Sequence, residues 1–312
     1  MLRLALRRLA LTVPTMLAAA TLVFLLVHLV PGDPVDVMLG ETAQPADREA
    51  LRRTLGLDRP LSAQYAAFLR GVATGDLGRS IVHGTPVAAL LAARFPATVE
   101  LTLAALLIAV GLALPLGLAA AARPGTWLDR GSVGFALLGV SVPSFWLGPM
   151  LIILFAIDLR WLPVSGRGTV AHLVLPALTL GLGMASILTR MTRASVLECL
   201  GEDYVRTARA KGVGRTRILT RHALRNALAP VVTILGLQFG ALLAGTVITE
   251  TIFAWPGLGR LLIDAINQRD YPVVQGCILS IAATFVLANA LTDVANGWLD
   301  PRIGAAAARA RR

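Results

Sequence analysis

Charge is scarce in this 312-residue sequence. Only 15% of its residues are Asp, Glu, Lys or Arg, against about 25% in an ordinary soluble domain. That deficit excludes the pair of water-facing domains its length would otherwise allow. Cysteine is scarce as well. Cys199 and Cys277 stand far apart in the chain and fall near opposite membrane faces in the assignment below, so no disulfide framework or metal site is indicated. Lysine hardly occurs, Lys211 being the single one among 29 basic residues. In so alanine-rich a chain, this reflects genome composition rather than mechanism. Aromatic residues make up 5% and none form a platform among the basic clusters. That removes the nucleic-acid reading that a net charge of +11 invites.

Hydrophobic residues account for 56% of the chain, and mean hydropathy is +0.71. A bilayer core about 30 Å thick needs roughly 20 apolar residues in a helix, at about 1.5 Å each. Six segments meet that need: Leu9–Val30, Val99–Ala122, Gly131–Ile157, Leu173–Thr189, Pro230–Thr249 and Cys277–Gly297. The expected fold class is an all-α integral membrane protein with about six transmembrane helices. Pro143 and Pro149 lie inside the third segment and predict a kink there. The first segment follows Arg3, Arg7 and Arg8 but is too long for a signal-peptide core and lacks a small-x-small cleavage site, so it is expected to remain as a spanning helix.

Basic residues set the orientation. With the N-terminus inside, the inner segments carry 18 of them and the two short outer loops only Arg160, Arg167, Arg260 and Arg269. Both termini are therefore expected in the cytoplasm. This divides the chain into residues 1–30 (cytoplasmic tip and first helix), 31–98 (an extracytoplasmic loop with short helices), 99–297 (a five-helix core with an inner loop at 190–229) and 298–312 (a cytoplasmic tail).

In the long outer loop, Pro31-Gly32-Asp33-Pro34 ends the first helix. Ser62 to Arg70 reads as a short helix with Leu61, Tyr65, Phe68 and Leu69 on one side. Thr85-Pro86 reads as a helix start, with Val87–Arg94 in the interface before the chain turns inward at Pro96. The loop is either a small cap on the outer rim or a docking surface for an outer partner.

The inner loop between spans four and five is the most informative stretch. Glu202 and Asp203 favour a helix N-terminus. Gly212 ends that helix, with Lys211 in its last turn, and a second helix runs from about Arg215 to Asn226. The product is helix, glycine turn, helix on the cytoplasmic face, an element through which a partner could apply force. Lys211 to Thr216 superficially resembles a phosphate loop, but neither the residue order nor the context fits. A basic loop that merely touches anionic lipid would explain the charge but not the glycine at the joint.

Asp203-Tyr204-Val205-Arg206-Thr207-Ala208-Arg209-Ala210-Lys211-Gly212, followed by His222-Ala223-Leu224-Arg225, resembles the EAA loop of permeases from the dipeptide, oligopeptide, nickel and glutathione ABC importers. Leu55 to Pro60, Gly75 to Ser80, Glu250 to Arg260, Arg269 to Pro272 and Asp300-Pro301 agree, so the likeness runs through nearly the whole chain. It implies a type I ABC importer permease fold and a subunit that binds no cofactor of its own. Its partners would be a second related permease, two ABC ATPases that use ATP, an extracytoplasmic solute-binding protein and the lipid membrane, with no nucleic acid. Aligned on Gly212, the general glutamate-alanine-alanine pattern is replaced by Arg206, Thr207 and Ala208, and Arg225 stands where many families have proline. These departures put in doubt any contact that needs that acidic side chain.

In span five, Gly236, Gly240 and Ala244 recur every four residues and allow close helix approach. Gln238 points away from that face, either lining the pathway or making an interhelical hydrogen bond. Span six has Asn289, Asp293 and Asn296 on one side, with Asp293 placed to pair with an inner arginine. Glu100 and Asp158 sit at outer edges. Trp255, Pro256 and Gly257 open a turn and short helix at the outer mouth, by resemblance near where a binding protein or gate would act; a plain rim turn reads equally well. A secondary transporter or channel would more naturally show inverted repeats or several buried charges. An intramembrane enzyme would need a histidine level with Ser141, Ser144, Ser186 or Ser280. Neither pattern is in the sequence.

Overall fold

The computed structural model describes residues 2–29, 35, 44–54 and 57–299. Pro31 to Pro34, Leu55-Gly56, Asp300-Pro301 and the C-terminal tail lie outside them, as do the side chains of Ala244, Asp293 and Asn296. All extended secondary structure among the described residues is helical; an isolated bridge pairs Arg79 with Pro86. The elements are α1 (Leu2–Leu29), α2 (Pro45–Thr54), α3 (Leu61–Thr74), α4 (Val87–Ala122), α5 (Trp127–Ser141), α6 (Ser144–Leu151), α7 (Val170–Gly201), α8 (Asp203–Ala210), α9 (Leu224–Ile252), α10 (Leu258–Asn267) and α11 (Tyr271–Leu299). A π-helix, Ile152–Asp158, continues α6. A short turn, Arg215–Arg217, and a second π-helix, Ile218–Ala223, lead into α9.

Among the described residues, four helical stretches are long and apolar enough to cross a membrane, Val87–Ala122, Val170–Gly201, Arg215–Gly240 and Tyr271–Thr292, and a bent pair would make a fifth. The described apolar part of α1, Thr12–Leu25, is shorter. The third expected span is not one kinked helix. It turns through 103° between Trp127–Ser141 and Ser144–Asp158. Pro143 has no N–H to give and forces Val142 out of the helical region, to φ −90 and ψ 114. Pro149, by contrast, is carried inside α6. Two further expectations change. Val87–Arg94 is not a separate interfacial piece, because α4 runs unbroken through Pro96 for 36 residues. The helix after Gly212 does not stop at Asn226 but continues through Pro230 into the fifth span.

The chain forms two compact units. One is built on Val99–Trp255. Here α7 is the most enclosed helix, because its small residues let neighbours approach. A Cβ at Gly181 would lie 2.9 Å from the Ala105 carbonyl oxygen on α4, and one at Gly139 on α5 would overlap the Ser186 hydroxyl. Such gaps suit small residues in apolar helix packing. The other unit is built on Ala10–Thr98 and Pro256–Val286. Its core joins Val87, Leu91, Leu258, Ala265, Val273 and Cys277. Tyr65 and Phe68 of α3 pack in tilted contacts against Phe24 of α1, with ring centres 5.2 and 5.6 Å away.

Candidate functional site

The segment around Gly212 is an elbow held together by a small apolar seam. Val205 and Ala208 of α8 pack with Ile218, and Leu200 and Val213 close the cluster. The turn itself has a Schellman geometry. Gly212 adopts φ +76, its N–H donates to the Arg209 carbonyl at 2.9 Å, and the Val213 N–H donates to the Ala208 carbonyl at 3.1 Å. Those bonds satisfy carbonyls the helix end would otherwise leave open. Side chains rarely adopt such a φ, so glycine is required by backbone conformation. Crowding is not the reason, since a Cβ there would meet nothing within 4 Å.

The residues singled out in the sequence divide into two faces. Asp203, Tyr204, Arg206, Thr207, Lys211 and Arg225 are exposed, His222 is half-buried, and Ala208 faces the seam. Thr207 spends its hydroxyl on the Asp203 carbonyl, 3.0 Å away. Arg206 stands 3.5 Å from the Asp203 carboxylate, a solvent-exposed pair worth little. The Tyr204 hydroxyl is 3.5 Å from the His222 carbonyl oxygen, linking the two helical segments that flank the Gly212 turn. Desolvation pushes its phenol above the ordinary range. The elbow therefore presents a polar, mostly cationic outer face on a backbone braced from behind.

A second core connects the elbow to the spans. Ala121 at the end of α4, Val196 of α7, and Ala223 and Ala227 at the start of the fifth span are all buried together. Sequence reasoning missed the polar contacts that accompany it. Arg215 donates to the carbonyl oxygen of Ala122. Arg193 of α7 grips Asp129 at the start of α5 through Nε and Nη2, with Nη2 lying 2.9 Å from Oδ2. Arginine after the Gly212 turn and aspartate in a first helical turn were the available signals.

Gln238 is half-buried and borders a cavity of about 170 Å³ with Val142, Ser144, Thr179, Met184 and Leu242. The cavity lies where the third span breaks. Gly236 is buried against α11, and a Cβ there would lie 2.2 Å from Thr292 Cγ2. Gly240 is half-buried. Trp255 is fully buried, with the Arg167 guanidinium 5.8 Å from its ring centre. Arg167 also meets Glu100 at 2.6 Å. Pro256 is half-buried, and Gly257 is buried and precedes α10.

Comparison with known proteins gives a consistent picture. The family described as binding-protein-dependent transport system inner membrane component matches residues 113–305. Its companion, the N-terminal part of such membrane components, matches residues 1–102. The chain is 46% identical over 335 residues to the dipeptide transport system permease protein DppB of Escherichia coli strain K12, covering 97% of this chain and 99% of that one. It is 45% identical over 303 residues to the glutathione transport system permease protein GsiC of Salmonella choleraesuis, with the same coverage. Among solved structures, a chain of the MetNI methionine ABC transporter in an inward-facing conformation superposes with a TM-score of 0.57 at 19% identity, covering 68% of this chain and 96% of that chain. That likeness bears on the fold alone, and the fold is the all-α, type I importer permease architecture.

Proposed function

The chain belongs to the family of binding-protein-dependent transport inner membrane components, and on that premise we propose that it forms half of the pathway of an ATP-driven importer of peptides or peptide-like solutes. Peptide and glutathione transport are named for its relatives; a small peptide is the solute class common to both. The subunit hydrolyses nothing itself. Two separate ATPases supply the energy, a second related permease completes the pathway, and an extracytoplasmic binding protein delivers the solute. Both termini and the elbow lie in the cytoplasm, where the arginine bias puts them.

The observation that carries this reading is the elbow. Its exposed face, with Asp203, Arg206, Lys211 and Arg225, is open to a partner. Behind it, Ala223 and Ala227 share a core with α4 and α7, and the Arg215–Arg217 turn runs without interruption into α9. A displacement imposed on α8 is delivered to packed helices that reposition as bodies, the usual structural basis of alternating access. Gln238, Gly236, Gly240 and Ala244 are assigned to the moving fifth span, with Gln238 facing the pathway at the break in the third. Trp255, Pro256 and Gly257 are assigned to the outer mouth.

Uptake in cells lacking this gene tests the reading. Labelled dipeptide, glutathione and a free amino acid are offered in turn. Loss of uptake of one or both peptides, with the amino acid unaffected, is expected. Undiminished uptake of both peptides contradicts the assignment.

A further inference from the structure

We infer that the short connection between α4 and α5 is a second arm of the elbow, driven by Arg215 and fixed in place by Asp129 and Arg193. The inference rests on the transport reading above. Arg215 follows the Gly212 turn and donates to the carbonyl of Ala122, the last residue of α4. Final helix carbonyls lack intrahelical partners and carry the negative end of the macrodipole, so a guanidinium is favoured there. The neighbouring Ala121 sits in the elbow's apolar core. The elbow thus holds the end of α4 by a cationic contact and an apolar one.

The connection is a braced turn. Gly125 takes φ +80, and its N–H donates to Asp129 Oδ2 at 2.9 Å. The Thr126 hydroxyl donates to the Arg123 carbonyl at 2.7 Å. Asp129, 5% exposed, is gripped by Arg193 through two parallel contacts. A bidentate pair of this kind fixes orientation as well as proximity. A pull on Arg215 therefore shifts the end of α4 and, through the brace, the start of α5, while Asp129 keeps α5 in step with α7. A cavity of about 660 Å³, bordered by Ala122, Pro124, Leu200, Arg209, Gly212 and Arg215, leaves the elbow room to swing while the Arg215 contact holds. Arg215, Asp129 and Arg193 are positioning residues; none is assigned to the solute or to nucleotide.

The test uses the complete importer in proteoliposomes, with its ATPases, second permease and binding protein. Two quantities are read: ATP hydrolysed per solute imported, and the distance between spin labels at residues 123 and 220 without nucleotide and with ATP trapped. Arg215→Gln is expected to raise the ATP cost per solute several-fold and to spread the label distance, whereas Arg215→Lys, which keeps a cationic donor, stays close to the parent. Asp129→Arg and Arg193→Asp singly should uncouple, and the two together should recover much of the loss. Should Arg215→Gln fail to assemble, the charge-swap series decides. Parent-like coupling in an assembled Arg215→Gln, or no recovery in the double swap, overturns the inference. Gly212→Val separates the two levels. If it uncouples while Arg215→Gln does not, only the second arm is wrong; if it too leaves coupling intact, the elbow reading itself fails.

Discussion

Arg167 holds its guanidinium 5.8 Å from the ring centre of Trp255. The same group meets Glu100 at 2.6 Å, and nearby the Gly166 N–H donates to the Phe253 carbonyl at 2.9 Å. Arg167 and Glu100 are each about two-fifths exposed, at 40% and 41%, whereas Trp255 is wholly enclosed. Trp255→Ala should cost about 3–5 kcal/mol as a core cavity. Arg167→Ala should cost only about 1 kcal/mol, since exposed ion pairs and cation–π contacts are weak. Thermal unfolding in detergent separates them: a drop of several degrees for Trp255→Ala and a small one for Arg167→Ala. Equal drops would mean that Arg167 contributes as much as the buried indole to securing this end of the fifth span.

At Gly212 the constraint is conformational. No atom lies within 4 Å of the added Cβ, so Gly212→Val carries the left-handed backbone penalty of about 1–2 kcal/mol without a clash. Asn tolerates that region far better. Gly212→Val is expected to abolish solute-stimulated ATP turnover in an assembled complex, and Gly212→Asn to retain it. Equal loss in both would show that side-chain bulk at a partner surface matters, and not the turn.

Asp270 anchors the turn at residues 80–82 in the unit built on Ala10–Thr98 and Pro256–Val286. It is 1% exposed and accepts from the Ser80 hydroxyl at 2.5 Å and from the Ile81 N–H at 3.1 Å. Asp270→Asn turns an acceptor of both into a group that must also donate, leaving a buried bond unmade at about 1–3 kcal/mol. Amide hydrogen exchange should rise across residues 78–86 in that variant and less in Ser80→Ala. Unchanged exchange would remove Asp270 as the anchor of this turn.

Gly236 is limited by space. A methyl group there would run into Thr292 on α11, and such overpacking typically costs about 1–3 kcal/mol. Gly236→Ala should lower the melting temperature, and adding Thr292→Gly should recover part of the loss. Independent, additive losses would show that the two positions do not share a contact.

Local features of this fold were legible in the sequence; long-range ones were not. The spans are written as apolar runs, and the elbow turn as a glycine after a basic last helical turn, because both depend on neighbouring residues. Pro143 signalled an interruption of the third span. The 103° turn depends on how α5 and α6 pack against α7 and α9, which no local pattern encodes. The continuity of α4 through Pro96 and of the elbow helix through Pro230 was hidden because an isolated proline reads locally as a helix boundary, whereas long transmembrane helices tolerate one. Asp129 with Arg193, and Ser80 with Asp270, are 64 and 190 residues apart. Their pairing has no periodicity to reveal it, so the brace behind the elbow became visible only in three dimensions.

Vesicle reconstitution decides whether this subunit needs a separate motor. The subunit is assembled with the proposed second permease, ABC ATPases and a solute-loaded binding protein, and in parallel placed in vesicles by itself; accumulation of labelled peptide against its gradient is then followed with ATP present. Dependence on a separate motor predicts accumulation in the complete assembly and none with the isolated subunit. Uphill accumulation by the isolated subunit would contradict it.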